Sequence, residues 1–288
     1  MVSITTNTPV IAFIGGGNMA EAILGGLYSP SVGHPHSHLR FSEPLEERRQ
    51  YMIKKYPDVM ATTDNQTVVD GADIVILAVK PQVLRMVIQN LAPTLHKNPH
   101  ILIISIAAGI ETEAILRWLD PQGYNAPLIR IMPNTPSLIG EGAVGLFATA
   151  SVSQEQKALT ERLMGSVSKV LSWVESEDLI DTITGMSGSG PAYFFLMMEA
   201  MENAGVARGL SREESKALTL QTCLGAARMA ISSEDDLATL RRKVTSPKGT
   251  TEAAIKSMET ADVRKVIQDA VFAATDRSKE LAEELGRD

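Results

Sequence analysis

Two stretches of the chain combine glycines, hydroxyls and small residues in patterns that bind anions. The first is F-I-G-G-G-N-M-A at 13–20, where Gly15-x-Gly17-x-x-Ala20 follows an apolar run and opens a helical one. Small residues permit the tight turn and bring backbone N–H groups to a pyrophosphate at the positive end of the helix. A bare G-x-G-x-x-A is weak evidence; a strand before it, a helix after it and a βαβ unit around it give it meaning. The second is V-T-S-P-K-G-T-T-E-A-A-I at 244–255, a break of Pro, Gly and hydroxyls between two helical stretches. Ser246, Thr250 and Thr251 are each able to cap a helix starting near Thr250, and Pro247 and Gly249 fix the turn before it. One capping hydroxyl suffices for a helix start. Several of them beside free N–H groups make a seat for a carboxylate, and the Thr side chains can donate to, or accept from, the same ligand.

Other motifs fall where a dinucleotide would continue. F-S-E-P at 41–44 ends the second strand and puts Ser42 and Glu43 beside an adenosine ribose. An acid there accepts from a ribose 2′-OH and favours NAD, whereas Ser42, Arg48, Arg49 and Asn65 suit the 2′-phosphate of NADP, so the residues leave the cofactor open. A-V-K-P at 78–81 and A-A-G at 107–109 follow the next two strands, on the edge where an open α/β sheet holds its ligand. Lys80 could hold an anion there or simply open a surface loop. I-M-P-N-T-P at 131–136 is stiffened by two prolines, and T-G-M-S-G-S-G-P-A-Y at 184–193 is either a domain junction or a ligand contact. H-P-H-S-H at 34–38 lacks a carboxylate or Cys to complete a metal site and reads as a solvated loop. Neither G-x-S-x-G nor H-E-x-x-H occurs.

The elements that must position these motifs follow from hydrophobic period. Short β-like runs at 10–14, 39–42, 74–79, 101–106 and 128–132 alternate with helical patterns at 18–27, 45–56, 82–91 and 111–119. Such alternation implies a mainly parallel α/β sheet covered on both faces, with 143–147 and 169–174 as candidate extra strands at one edge. After about Ser176 only helices are expected, near 189–207, 213–231, 235–243, 251–259 and 263–285. The expected division is therefore a dinucleotide-binding domain at 1–175 and an all-α domain at 176–288. Tyr193, Phe194, Leu196, Met197, Met198 and Met201 on one helix, with Leu218, Leu220, Leu224 and Met229 on the next, exceed what so small a core needs. A homo-oligomer packing helices of two chains is expected; a tight monomeric bundle is the alternative.

Composition narrows the class. In 288 residues, 44% hydrophobic and 21% charged, there is ample core for two domains. A net charge of −7 without a basic block argues against nucleic acid and means that any anion site is built locally. The lone Cys223 and a start, M-V-S-I-T-T-N-T-P-V, without a charged and apolar leader point to a reducing cytoplasm; no run approaches a membrane span.

Taken together and in order, F-I-G-G-G-N-M-A, L-A-V-K-P-Q, S-I-A-A-G-I, R-I-M-P-N-T-P, G-M-S-G-S-G-P-A-Y and V-T-S-P-K-G-T-T resemble the pyrroline-5-carboxylate reductases over nearly the whole chain. The resemblance implies an amino-terminal Rossmann domain, a helical dimerisation domain, and often assembly of five dimers into a decamer. It implies hydride transfer from NADPH or NADH to the C=N carbon of 1-pyrroline-5-carboxylate, the last step of proline biosynthesis. By position it puts Ile14, Gly15, Gly16, Gly17, Asn18 and Met19 on the pyrophosphate and Asn65 at the adenosine end. Ala78, Val79, Lys80 and Pro81, with Ala107 and Ala108, fall on the ribose and nicotinamide. Glu177, Thr250 and Thr251 fall on the substrate, with Thr251 near the ring nitrogen as the expected catalytic hydroxyl, and the carboxylate seat read at 246–251 adds Ser246 and Gly249. The family has Gly where this chain has Lys248; a positive φ there would strain Lys by roughly 1 kcal/mol or more.

Two rivals differ in chemistry. Related hydroxyacid dehydrogenases carry a catalytic lysine on the helix after the Gly-rich junction, and residues 191–203 contain none. A nucleotide-binding sensor would have no use for the hydroxyl-rich segment at 246–251.

Overall fold

The computed structural model describes residues 8–120, 123 and 125–286; the start on which the leader argument rests lies mostly outside them. One sheet of eight strands is built from β1 (Ile11–Ile14), β2 (Leu39–Ser42), β3 (Met60–Thr62), β4 (Ile74–Leu77), β5 (Leu102–Ser105), β6 (Leu128–Met132), β7 (Gly142–Ala148) and β8 (Ser168–Trp173). Their order is β3-β2-β1-β4-β5-β6-β7-β8. Strands β1 to β6 are mutually parallel, β7 runs antiparallel to β6, and β8 runs parallel to β7. The two candidate edge strands thus join the sheet with reversed direction.

Helices α1 (Asn18–Tyr28), α2 (Glu46–Lys55) and α6 (Gln154–Gly165) cover one face, and α3 (Asn65–Val69), α4 (Pro81–Leu95) and α5 (Thr112–Leu119) cover the other. Along β1, Ile11 and Phe13 enter the first core while Ala12 and Ile14 enter the second. Burial on both faces explains why the strand reads as an unbroken apolar run. β3 and α6 are additions to the sequence reading. β3 is a three-residue edge strand without alternation, whereas α6 carries a legible signal: Ser153 accepts from the Gln156 N–H, and Gln156 returns the bond to the Ser153 N–H.

Beyond the sheet come α7 (Asp178–Ile183), a π-helical turn (Thr184–Gly188), α8 (Gly190–Ala207), α9 (Arg212–Ser232), α10 (Leu237–Lys243), α11 (Thr250–Thr260) and α12 (Val263–Gly286). The chain forms two compact units, one of residues 1–189 with 273–288 and one of 190–272. This division differs from the expected 1–175 and 176–288, because α7, the π turn and the end of α12 pack with the sheet. Their anchor is Arg130 in β6, whose side chain is 2% exposed. Its guanidinium donates to Glu177 at 3.0 Å and to Asp181 at 3.2 Å, and Ser278 of α12 donates to the same Asp181 oxygen at 2.7 Å. Glu177 also accepts from the Thr112 N–H and hydroxyl, fixing the start of α5. Nearby, burial, and then the charge of Glu177, push the Glu111 carboxyl above its ordinary range.

In the second unit α8 packs along α9, yet Phe194, Phe195, Leu196, Met197 and Met201 of α8 and Leu218, Leu220, Leu224 and Met229 of α9 are exposed. No described helix is long and apolar enough to cross a membrane.

Replacing Arg130 with Met should strand two carboxylates, one of them buried, without their cation. We expect a loss of about 3–5 kcal/mol in denaturant unfolding, the usual cost of removing one partner of a buried pair.

Candidate active site

The Gly-rich turn leaves β1 where the strand order reverses, with β2 on one side and β4 on the other. That crevice is where open α/β sheets hold ligands. Gly15 has φ +101°, and a Cβ on it would lie 2.7 Å from the Ala78 carbonyl oxygen. The Ala78 N–H in turn donates to Ile14 at 2.8 Å, so the first and third motifs are brought into contact. Ile106, just before Ala107 and Ala108, donates to Leu77 at 3.1 Å, which sets that loop beside the same strand end. Lys80 is exposed at the N-cap of α4, followed by Pro81 at the first helical position.

Gly17 is the N-cap of α1 and makes no side-chain cap bond. A Cβ on it would meet nothing within 4 Å, so the ground in front of the helix is open. The first helical bond runs from Glu21 to Gly17, and among the described residues nothing accepts from the N–H groups of Gly17, Asn18, Met19 or Ala20. Four free amides at a positive helix end fit a pyrophosphate.

On the adenosine side, Ser42, Glu43, Arg48 and Arg49 are engaged with partners in the protein itself. Ser42 is fully buried and its hydroxyl reaches back to the Phe13 carbonyl at 3.4 Å, so it faces the interior. Glu43 accepts from the Gly16 N–H at 2.9 Å and the Leu45 N–H at 2.9 Å. Arg48 donates to the Gly16 carbonyl at 2.6 Å and to Glu21 at 2.5 Å, while Arg49 donates to the Glu43 carbonyl at 2.8 Å and pairs with Glu46. Burial opposes the charge on Glu21, but hydrogen bonds from Lys55 and Arg48 prevail and hold its carboxyl below the ordinary range. Asn65, half-buried, opens α3 behind the cap that Asp64 supplies.

In the second unit, α11 starts at Gly249, and no side chain caps it. None of the three hydroxyls expected as caps does so; Ser246 and Thr250 are exposed and Thr251 is half-buried. A Cβ on Gly249 would lie 2.5 Å from the Ser246 hydroxyl oxygen and 3.0 Å from the Ser246 carbonyl oxygen, so a larger residue would require the Ser246 side chain to turn away and the backbone to give slightly. The Gly249 N–H donates to Ser246 at 3.0 Å, and the first helical bond is Ala253 to Gly249. The N–H groups of Thr250, Thr251 and Glu252 have no partner among the described residues. Lys248 adopts φ +58°, and its N–H is taken by the Glu252 carboxylate at 2.7 Å. Lysine thus occupies the left-handed conformation whose cost was anticipated.

Glu177 lies in the first unit with both carboxylate oxygens engaged by Thr112 and Arg130. Asn134 of M-P-N-T-P links two loops, donating to Ser187 at 3.2 Å and accepting from the Ala143 N–H at 3.0 Å. Arg130, Asp181 and Asn134 were not singled out by sequence reasoning, although a lone arginine inside L-I-R-I-M was a legible sign of a paired buried charge. Among the described residues no cluster of His, Cys, Asp and Glu suits a metal.

A doubly wound sheet with an open Gly-rich turn, followed by an all-helical unit, defines a nicotinamide-dependent oxidoreductase of the two-unit type. Residues 10–109 match the family described as NADP oxidoreductase coenzyme F420-dependent, and residues 177–281 match pyrroline-5-carboxylate reductase dimerisation. The chain is 48% identical to a pyrroline-5-carboxylate reductase of Pseudomonas aeruginosa over 281 residues, 98% of this chain and 100% of that one. A solved reductase from Coxiella burnetii is 43% identical with a TM-score of 0.87, covering 96% of this chain and 99% of that one. The Plasmodium falciparum pyrroline carboxylate reductase, solved with NADP bound, is 28% identical with a TM-score of 0.83, covering 95% and 98%. The chain belongs to the pyrroline-5-carboxylate reductase family.

Two pairs of substitutions test this geometry. Gly17→Val should fold normally and weaken dinucleotide binding by at least about tenfold, roughly 1.4 kcal/mol, whereas Gly15→Ala should cost about 2–4 kcal/mol of stability through its positive φ and the Ala78 contact; calorimetric titration and chemical unfolding separate the two. Lys248→Gly should raise stability by up to about 1 kcal/mol, left-handed strain relieved less the added chain entropy of glycine, and Lys248→Ala should bring no such gain.

Proposed function

We propose that the protein reduces 1-pyrroline-5-carboxylate to L-proline with NADPH as the preferred donor and NADH as the alternative. The observation that carries the reading is the uncapped start of α11, where three free amides stand among the hydroxyls of Ser246, Thr250 and Thr251. In a protein of net charge −7, a substrate carboxylate needs such a local seat. The amino-terminal unit supplies the other requirement, free amides at Gly17, Asn18 and Met19 for the diphosphate of the donor. NADPH is supported by the match to an NADP oxidoreductase family and by the NADP held in the P. falciparum relative.

When bound, the reduced nicotinamide supplies a hydride. The chain's own residues orient the acceptor: the α11 amides and Thr250 hold the carboxylate, and Thr251 hydrogen-bonds the ring nitrogen. Hydride addition at the C=N carbon moves the π electrons onto that nitrogen, which enters protonated from water. No strong acid is required, and a hydroxyl suffices as hydrogen-bond partner. Glu177 belongs to this reading as a substrate-side residue, its position held by Arg130 and Thr112.

The working unit in this proposal is a homodimer, further assembled as five dimers in a decamer. The exposed apolar residues of α8 and α9 and the match of 177–281 to a dimerisation family support the dimer. A lone cysteine and the lack of a membrane-crossing helix among the described residues fit a cytoplasmic enzyme.

The deciding assay follows consumption of reduced nicotinamide on addition of pyrroline-5-carboxylate to the protein. Folded protein that binds NADPH yet gives a flat trace would favour a sensor, and preferential oxidation of 3-hydroxy acids would favour the dehydrogenase rival. Thr251→Ala should lower turnover by about tenfold or more, the worth of one hydrogen bond to a charged group. Its NADPH affinity should stay within about twofold of the parent's, a difference of less than 0.5 kcal/mol by the usual conversion; a comparable weakening would place Thr251 with the cofactor.

A further inference from the structure

Glu43 stands at the end of β2, where an acid ordinarily accepts from an adenosine 2′-OH. Its contacts here point elsewhere. One carboxylate oxygen takes the Gly16 N–H at 2.9 Å and the other takes the Leu45 N–H at 2.9 Å. The Gly16 carbonyl is held from the same side, by Arg48 at 2.6 Å. Arg48 is itself fixed: its guanidinium donates to Glu21 and lies 4.9 Å from the Tyr51 ring centre. The approach is close enough that a Cβ on Gly16 would lie 3.2 Å from the Glu43 Cβ and 3.4 Å from its carboxylate oxygen. Both polar groups of Gly16 are therefore consumed by the β2–α2 segment, while the next amides, from Gly17 onward, have no partner among the described residues. With the Gly15 N–H also held, by the Ser42 carbonyl at 2.9 Å, the Gly-rich turn is divided between two residues whose amides are taken and several that are left for a ligand.

We propose that Glu43 is a positioning residue that pins Gly16, so that the amides of Gly17 to Met19 are presented in fixed directions, and that it does not read the ribose. The proposal rests on the dinucleotide reading of the amino-terminal unit. It has a specific consequence: loss of the Gly16 contact weakens NADPH and NADH alike, because the diphosphate is common to both, whereas loss of a ribose acceptor weakens NADH selectively.

Removing a negative charge near a 2′-phosphate would by itself favour NADPH, so the test needs a charge control. Glu43→Gln removes the charge but keeps an oxygen able to accept from Gly16; Glu43→Ala removes both. Direct calorimetric titration of NADPH and NADH into the full-length protein should show the Ala variant binding each about tenfold more weakly than the Gln variant, with an unchanged ratio between the two cofactors. Without any cofactor, hydrogen exchange by NMR should find the Gly16 amide protected in the parent and in Glu43→Gln, and exchanging at least about tenfold faster in Glu43→Ala. Equal NADPH affinities for the two variants with a selective loss of NADH in Glu43→Ala would overturn the inference and restore Glu43 to the ribose. Equal exchange at Gly16 in all three proteins would also overturn it. A parent that binds neither dinucleotide would instead overturn the reading on which the inference rests, an outcome distinct from both.

Discussion

The layout of the first unit depends on a guanidinium buried in the sheet. Arg130 leaves β6 among Ile129, Ile131 and Leu128, a position where an unpaired charge would cost several kcal/mol. It is tolerated because Glu177 and Asp181 approach it from the start and the body of α7, while Ser278 donates to the same Asp181 oxygen and Thr112 to the second oxygen of Glu177. The consequence is geometric. A strand end, the start of α5 just after Ala107 and Ala108, the helix leading to the Gly-rich junction and the last turns of α12 are fixed by one charge. Apolar residues of equal volume could fill such a space at no loss of stability. What they could not supply is direction, since hydrogen bonds determine which side of each element meets the others.

The same economy governs anions. With a net charge of −7, the protein has little attraction for a dinucleotide or an amino-acid carboxylate at a distance. Nor do the basic residues near the Gly-rich turn remain free, since Arg48 and Lys55 are spent on Glu21 and Arg49 on Glu46. In the proposed reading recognition falls to the backbone at two helix starts of similar form: α1 and α11 each begin at a glycine in extended conformation, with no side-chain cap. Of the other helices, α3, α6, α9 and α10 are capped by Asp64, Ser153, Ser211 and Asp236, while α2, α4, α5 and α7 also start without a side-chain cap; α1 and α11 differ from those four in starting at glycine. A side-chain cap at Gly17 or Gly249 would stabilise the helix and occupy the amides that the proposed reading assigns to a ligand.

What could be read in advance follows from range. The parallel strands and most helices were legible because hydrophobic period is local: β2 and β6 lie where the runs 39–42 and 128–132 placed them. β3 escaped because three residues carry no period, and its place comes from pairing with β2. In the site, the motifs were legible as backbone shapes, since glycine and proline act on their own φ and ψ. Side-chain partnerships were not. Nothing local tells Ser42 to turn inward or Glu43 to bond Gly16, because each depends on a neighbour more than twenty residues away in sequence. Lys248 is a mixed case: the positive φ was anticipated as a possibility, and the Glu252 bond that accompanies it was not.

The helical unit poses a different demand. α8 and α9 carry apolar side chains around much of their circumference, and among their described residues only Gly190, Ser215 and Thr219 are buried. Apolar faces this broad call for burial, yet a unit of residues 190–272 has few other elements with which to cover them. Fully burying one exposed Phe or Leu side chain is worth about 1.5–3 kcal/mol; Phe194, Phe195, Leu196, Leu218 and Leu224 are each about half exposed, so leaving them in water forgoes roughly 4–9 kcal/mol, a sizeable part of a domain's net stability. Association of two chains recovers that energy. The turn at 246–251, the proposed substrate seat, lies in this same unit, so the proposed seat depends on a body whose apolar faces call for a partner.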